Sequence, residues 1–314
     1  MTEPLVSVIV VSYGTRELTL SALDSLHDAA SEIELEVIVV DNASPDDSAQ
    51  AIAAKHPWAH LIVSKENRGF GAGANAGARV ARGTWLLFFN SDARLPAGAL
   101  PRLLQIAGAL PDPGAIGPRL ETFSGIPERS AGHFLSPWRD FVQAFRLNRL
   151  FGGRGPFEGV AIDAGRGGPR RVDWVSGACL LVNRELFHAV GDFDETYFMY
   201  VEDMDLCFRL VRAGRKNYYV PDVIVHHELG QSRRRFPRPI LVDGGGGPEY
   251  FVRKFGLKYP APLQRSLRAT NLVVWLCALE LRRVRSRLTH QDTAEINYFA
   301  RVCRQSLWSL FRSN

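Results

Sequence analysis

The chain has 314 residues, 46% hydrophobic and 23% charged, with 28 Gly, 18 Pro and 4 Cys, which excludes a disordered tail, a collagen-like repeat and a disulfide scaffold. The length suits one or two domains with a substantial core. Net charge is +5, but residues 253–314 carry 12 Lys+Arg against 3 Asp+Glu, leaving 26 against 30 in residues 1–252. A mildly acidic body with a basic end points to an anionic partner there, membrane lipid or nucleic acid.

Leu5–Val11 is an apolar, β-branched run that reads as a strand, and no basic-then-apolar export signal precedes it, so a cytoplasmic protein is expected. Ser12, Tyr13 and Gly14 end the run, and Leu18, Leu20, Leu23 and Leu26 continue in a helical pattern. Further apolar runs at Leu35–Val40, His60–Ser64 and Trp85–Phe89 alternate with helical stretches. Near-continuous apolar strands separated by helices predict an α/β fold with a parallel sheet covered on both faces. Ser44, Pro45, Asp46 and Asp47 form a helix-start signature. Asp41 and Asn42 then lie just past a strand's carboxyl end, in the crevice where open α/β sheets bind ligands.

The Gly-rich residues 149–171 and 243–248 read as loops. Between them, Val172–Val182 reads as a strand, Met199–Val211 as an amphipathic helix with an acidic start, and Asn217–Val220 and Val223–His226 as strands. Beyond Pro262 the chain reads as helical and basic. Its longest apolar stretch, Leu272–Leu279, is eight residues, whereas a membrane span needs about 20. With Arg282, Arg283, Arg285 and Arg287 following, that stretch suits the surface of a bilayer. Cys179, Cys207, Cys277 and Cys303 lie far apart without paired spacing and read as reduced core residues.

Four constellations carry chemistry. Gly71, Gly73 and Ala76 match the G-x-G-x-x-A dinucleotide fingerprint, with Asp92 placed 21 residues after Gly71. Against it, the preceding strand stops near Ser64, and the alternation of Gly69, Gly71, Gly73 and Gly77 with Ala72, Ala74, Ala76 and Ala78 fits a closely packed helix. Asn90, Ser91 and Asp92 directly follow an apolar strand, where a carboxylate is solvated, paired or bound to a cation. Hard divalent cations that bridge phosphates are commonly held by one or two carboxylates, although an ordinary strand-to-turn Asp has the same sequence. Asp192, Asp194, Glu195, Glu202, Asp203 and Asp205 are interleaved with Phe193, Tyr197, Phe198, Met199 and Tyr200. They complement a helix dipole, or they offer in Glu202 and Asp203 a partly desolvated general base. His226 and His227, with Ser232 beyond, are metal or phosphate ligands or structural histidines.

In this order the motifs resemble the family 2 glycosyltransferases of GT-A fold, especially their rhamnosyltransferase-like bacterial members, over residues 5–260. SVIVVSYG (7–14) is similar to the family's first strand, implying Ser12 and Tyr13 at the nucleotide. VIVVDNAS (37–44) is similar to the second, whose Asp, here Asp41, contacts the base. ENRGFGAGANAG (66–77) looks like the Asn-x-Gly segment, implying that Asn67, Gly69 and Asn75, with Ser91, line the nucleotide-sugar site. FFNSD (88–92) stands where D-x-D holds Mg²⁺ or Mn²⁺; Asn90 replaces the first acid, so Asp92 carries most of the metal binding. Trp174, Gly177 and Ala178, with Asp194 and Glu195, fall on the acceptor side. GDFDETYFMYVEDMDL (191–206) matches the acceptor-side helix, with Asp203 at the position of the base and Glu202 beside it. HELGQS (227–232) is similar to the segment whose His, here His227, reaches the diphosphate or metal.

The resemblance implies a Rossmann-like, mostly parallel sheet flanked by helices and an inverting, metal-dependent transfer. The donor would be a nucleotide-diphosphate sugar, with dTDP-rhamnose the family-weighted choice. The acceptor would be a hydroxyl of a glycan or polyprenyl-diphosphate-linked glycan in cell-envelope polysaccharide synthesis. Residues 1–262 would form the GT-A domain, with 1–120 binding the nucleotide sugar and 121–262 the acceptor. Residues 263–314 would be a basic helical tail on an anionic membrane surface, peripheral to the inner face of the plasma membrane, with no nucleic acid partner. The rival readings are an NAD-dependent oxidoreductase, from Gly71–Ala76, and a non-catalytic nucleotide-sugar-binding module, from Asn90.

Overall fold

Strands that are apolar on both sides need cover on both faces, and the structure supplies it. In this computed structural model, residues 5–150, 167–227, 247–288 and 294–310 are described. Strands β1 (Val6–Ser12), β2 (Leu35–Asp41), β3 (His60–Val63) and β4 (Trp85–Asn90) run parallel in the order β3-β2-β1-β4. They are connected through α1 (Arg16–Ala29), α2 (Ser48–Lys55) and α3 (Phe70–Val80), and α4 (Ala99–Ala109) follows. Val8, Val10, Val37, Val39, Leu87 and Phe89 share one core with Leu20, Leu23 and Leu26 of α1, Ile52 of α2 and Leu100 and Leu103 of α4. The alternate residues Ile9, Ile38, Val40, Leu86 and Phe88 share a second core with Ala74 and Ala78 of α3. The period of two along each strand thus divides the sheet's apolar residues between two layers.

The remaining elements are β5 (Ala93–Arg94), β6 (Pro113–Glu121), β7 (Ala131–Gly132), α5 (Pro137–Ala144), α6 (Leu147–Leu150), β8 (Arg170–Val172), β9 (Trp174–Val175) and β10 (Cys179–Asn183). They are followed by α7 (Arg184–Ala189), α8 (Glu202–Arg212), β11 (Lys216–His227), α9 (Gly247–Lys254), α10 (Ala261–Leu288) and α11 (Ala294–Leu310). The sheet continues from β4 as β10-β6-β11-β5, with β8 also on β11. β10 runs antiparallel to β4 and β6, while β11 is parallel to β6 and antiparallel to β5 and β8. The sheet is therefore parallel in its first half and mixed in its second. A separate two-stranded sheet pairs β7 with β9.

Contacts divide the chain into two compact units, Met1–Phe134 with Ala161–Phe236, and Leu135–Val160 with Pro237–Asn314. The first contains both sheets. In the second, Leu272, Leu276 and Leu279 of α10 pack against Ile296, Ala300 and Cys303 of α11. Tyr259 donates a 2.6 Å hydrogen bond to Asp140 of α5, and Arg265 makes a bidentate pair with Glu249 of α9. Among the described residues, no helix is long and apolar enough to cross a membrane.

Several sequence expectations shift. Val172–Val182 is three short strands, broken at Asp173 and at 176–178, because the Asp173 carboxylate accepts from the Phe134 N–H and the Gly177 N–H donates to Asp203, both distant in sequence. The helix expected to start at Ser44–Asp47 begins at Ser48, because the Ser44 hydroxyl accepts from the Gly14 N–H instead of capping. The acidic helix begins at Glu202, since Tyr200 and Val201 have positive φ. Residues 217–226 lie in one strand, β11, whose register shifts between Val220 and Ile224 around Pro221. Of the two expected loops, 151–166 and 243–246 lie outside the described residues, whereas 149–150 belong to α6, 170–171 to β8 and 247–248 to α9. Cys179, Cys207 and Cys303 are buried as expected; Cys277 is exposed.

The small residues of α3 are explained by packing. A Cβ on Gly77 would lie 2.6 Å from Ile9 Cγ2, and one on Gly73 would lie 2.9 Å from Val11 Cγ1. The helix rests directly on β1. Gly77→Val is expected to lower stability by about 1–3 kcal/mol, the usual cost of overpacking, read as a lower urea midpoint; an unchanged midpoint would contradict this close approach.

Candidate active site

The candidate site grows from the carboxyl ends of β1, β2 and β4, where Ser12 is in register with Asp41 and Val11 with Asn90. Chain order reverses between β1 and β4, the point at which open α/β sheets leave a crevice. Asp41 is only 2% exposed; its Oδ2 accepts from the Ser44 N–H at 3.1 Å, while its buried Oδ1 has no partner. A buried carboxylate oxygen without a donor is costly, so a ligand N–H would fit here. The Asn42 amide donates to Asn67 Oδ1 (2.9 Å) and to the Gly69 carbonyl (3.0 Å), and Asn67 Oδ1 also accepts from the Gly69 N–H. Asp41–Ser44 and Asn67–Gly69 are thereby joined into one rim.

Gly69 has φ +93°, and a Cβ on it would meet the Phe198 carbonyl oxygen at 2.1 Å. The Phe70 N–H, at the start of α3, donates to that same carbonyl. This helix end, where a dinucleotide fold would bind pyrophosphate, is therefore occupied by protein, and the Gly71–Ala76 fingerprint is accounted for by packing.

Ser12 and Ser91 are buried and tied together beneath this rim. Ser12 Oγ lies 2.9 Å from Thr19 Oγ1, Thr19 Oγ1 lies 3.1 Å from Thr15 Oγ1, and Thr15 Oγ1 lies 3.0 Å from Ser91 Oγ. The relay fixes the residue between Asn90 and Asp92. Tyr13 is half-buried in the loop that follows β1.

Beyond β4, Asp92 is buried and its Oδ1 lies 3.2 Å from His227 Nε2. The other ring nitrogen, Nδ1, lies 2.7 Å from Glu128 Oε2, also buried, and the Asn90 amide sits 3.2 Å from Nε2. Burial works against the imidazolium, but the bonds to Asp92 and Glu128 outweigh it and raise the His227 pKa to about 9. Of the two neighbouring histidines, His227 is the one at Asp92; His226 pairs across the sheet edge with Arg94 and stacks toward Phe123. Ser232 lies outside the described residues. Among the described residues, no group of three His, Cys, Asp or Glu side chains could hold a metal alone. A carboxylate, an amide oxygen and an imidazole that must first release its Nε2 proton are a half-site, which suits a hard cation that keeps waters and takes phosphate oxygens from its substrate.

The acidic segment meets this edge through backbone. Asp203 Oδ2 accepts from the Gly177 N–H at 2.9 Å, its Oδ1 accepts from the Met204 N–H at 2.8 Å, and the next carbonyl, of Ala178, accepts from the Asn90 N–H. Residues 177–178 thus bridge Asp203 to the end of β4, two residues before Asp92. Val201 (φ +73°) and Tyr200 (φ +66°) precede α8 in a left-handed conformation that is strained for a β-branched residue. Behind them, Asp205 is fully buried, accepting from Arg209 Nε at 2.6 Å and from the Tyr197 hydroxyl at 3.1 Å.

Glu202 and Asp203 divide the pair's protonation. Burial raises the Glu202 pKa well above the usual carboxylate range, and the nearby charges of Asp203 and Asp205 push it further. Burial also raises Asp203, but the Gly177 and Met204 N–H groups hold its charged form. Glu202 is sealed, with its Oε2 unpartnered, whereas Asp203 is partly exposed. Burial and the neighbouring acids thus favour the protonated form of Glu202, and Asp203 is the accessible carboxyl of the pair.

Other residues expected at the site serve as its frame. The Asn75 amide exchanges two hydrogen bonds with the Phe193 backbone and donates to Glu195. Glu195 also pairs with Arg68 at 2.6 Å, and Asp194 accepts from the Thr196 N–H. Trp174 donates its indole N–H to the His133 carbonyl and packs on the second core. Sequence reasoning placed Asn42 beside Asp41 in the crevice but missed Thr15, Thr19 and Glu128 as site-building residues. Glu128 lies 99 residues from His227 and carries no local signal.

The sequence matches the profile described as "Glycosyl transferase family 2" over residues 7–174. It is 34% identical over 278 residues to the N-acetylglucosaminyl-diphospho-decaprenol L-rhamnosyltransferase of Mycobacterium tuberculosis, covering 84% of this chain and 89% of the relative. The fold is similar to the mannosyltransferase PcManGT of Pyrobaculum calidifontis, solved with GDP-Man and Mn²⁺ (TM-score 0.58, 20% identity, 100% of this chain and 88% of that one). It is also similar to GalNAc-T7 solved with UDP, GalNAc and Mn²⁺ (TM-score 0.59, 17% identity, 96% and 55%). The fold is GT-A.

A carboxyl whose pKa is raised by folding is neutral in both states below its ordinary value of 4.5, and it destabilises the native state progressively as pH rises toward the folded value. Glu202→Gln removes that penalty. Its Tm should match the wild type's in acid and exceed it increasingly as pH rises above the ordinary carboxylate range. A gap that narrows with rising pH would refute the assignment of the proton to Glu202.

Proposed function

The chain belongs to glycosyl transferase family 2, and from that premise we propose an inverting, divalent-metal-dependent transfer from a nucleotide-diphosphate sugar to a hydroxyl of a lipid-linked glycan. The chain is a rhamnosyltransferase-like glycosyltransferase of glycan synthesis. The finer reading, dTDP-rhamnose as donor and a polyprenyl-diphosphate-linked acceptor, is supported by the M. tuberculosis relative, whose name specifies a rhamnose transfer to a diphospho-decaprenol-linked sugar. The observation that carries the mechanism is the split between sealed Glu202 and accessible Asp203.

In this reading Asp41 Oδ1 accepts an N–H of the nucleobase, and the rim of Asn42, Asn67 and Gly69 shapes the donor pocket. Asp92 and the Asn90 amide oxygen would hold Mg²⁺ or Mn²⁺, joined by His227 Nε2 once the ring gives up its proton, and the bound charge would offset the negative charge gathering on the departing diphosphate. Asp203 takes the proton of the acceptor hydroxyl as its oxygen bonds to the anomeric carbon. The electron pair of the breaking glycosidic bond leaves with the nucleoside diphosphate, inverting the centre in one displacement. The Gly177 and Met204 N–H groups offset part of the burial that raises the Asp203 pKa, and a protonated Glu202 adds no repulsion. Residues 253–314, with 12 Lys+Arg against 3 Asp+Glu, would keep the enzyme on an anionic membrane where such an acceptor resides.

Asp203→Asn is expected to lower kcat by about 10² to 10⁴, the scale of lost general base catalysis, with nucleoside-diphosphate binding nearly intact by thermal shift. Turnover at the wild-type rate would remove Asp203 from the role. Glu128→Ala should weaken Mn²⁺ binding about 10- to 100-fold by freeing the His227 ring, read by electron paramagnetic resonance titration in the presence of a nucleoside diphosphate. Glu128→Gln, which keeps an acceptor for Nδ1–H, should recover most of that affinity.

A further inference from the structure

α10 is apolar on two sides, and only one of them is covered. Leu272, Leu276 and Leu279 pack against α11. Helical spacing puts Val273, Cys277, Leu281 and Val284 on another stripe, at i, i+4, i+8 and i+11. Those residues face solvent: Val273 is 44% exposed, Leu281 73% and Val284 57%, and Cys277 is exposed as well. A row of apolar side chains left in water on one helix marks a surface with a partner.

The surrounding charge identifies that partner. Arg282 is exposed and Arg283 half-buried beside the stripe, and Arg285 and Arg287 follow in the chain. Glu280, the acid within the described part of α10, is engaged by Arg283 at 3.4 Å and by Arg304 of α11 at 2.6 Å. An apolar row in a segment where residues 280–287 carry four arginines against one acid, Glu280, matches an anionic bilayer, with the row entering the acyl boundary and the basic segment at the headgroups. A second copy of the chain would bring the same positive rim and be repelled, and nucleic acid offers the apolar row nothing to bury against.

We infer that α10 is a membrane-docking helix whose Val273–Cys277–Leu281–Val284 stripe inserts shallowly into an anionic bilayer. This deepens the proposed function and rests on its reading of a lipid-linked acceptor. Docking is then more than electrostatic adsorption: the arginines bring the helix to the surface, and the stripe holds it there once salt screens the charges.

Cys277 supplies the test, because Cys179, Cys207 and Cys303 are buried. The full chain is labelled at Cys277 with an environment-sensitive fluorophore and mixed with phosphatidylcholine vesicles with or without phosphatidylglycerol. The expected result is a blue shift and protection from iodide quenching with the anionic vesicles alone. Leu281→Ser with Val284→Ser should weaken vesicle binding by roughly tenfold at physiological salt, while the melting temperature and turnover on a water-soluble acceptor analogue stay unchanged. Vesicle binding without a change at the label would overturn the inference, as would a label buried before vesicles are added by self-association on size exclusion. A shifted label in a protein that transfers no sugar to any acceptor would keep the docking surface and remove the proposed function instead.

Discussion

The peptide of Phe198 lies against Gly69 so closely that no side chain fits between them, and much of the candidate site depends on that approach. The Phe198 carbonyl accepts from the first helical N–H of α3, and Asn75, further along α3, clasps the backbone of Phe193. These bonds fasten residues 193–198, which lead into the acidic helix, to the rim that carries Asn67 and Asn42. Because a buried backbone group must find a partner, each bond here removes a cost that any other arrangement would bear. The left-handed Tyr200 and Val201 follow directly, and the Asp205–Arg209–Tyr197 network over-determines the turn they make.

Polar burial at this sheet edge follows a consistent rule. Four hydroxyls between Ser12 and Ser91 satisfy one another, His227 is shared by Asp92 and Glu128, and Asp203 rests on two N–H donors. Against that background the exceptions stand out. Asp41 Oδ1 and Glu202 Oε2 are buried without partners. The first has the chemistry to receive a ligand N–H. The second lies where burial and two neighbouring carboxylates raise the Glu202 pKa and favour its neutral form.

The second unit is built on other terms. Its helices bury modest apolar clusters and spend much of their surface on arginine and on exposed apolar side chains such as Leu281 and Val284. That surface is costly in water and becomes sensible where one side of a helix meets hydrocarbon and the other meets charge.

Much of this was legible along the chain. The runs at β1, β2 and β4 are near-continuously apolar, β-branched in the first two, and only a strand covered on both faces accepts that pattern, so the parallel half of the sheet and the location of Asp41 and Asp92 follow from local sequence. The motif order likewise determined the family. What local sequence left undecided depends on contacts between distant segments. The strand expected over 172–182 breaks because Asp173 and the Gly177 N–H bond elsewhere, Ser44 leaves its cap for Gly14, and the partner of His227 is Glu128, 99 residues away. Periodicity records which face of a segment is dry; which donor meets which acceptor inside that dry space is decided only when folding closes the loops between them.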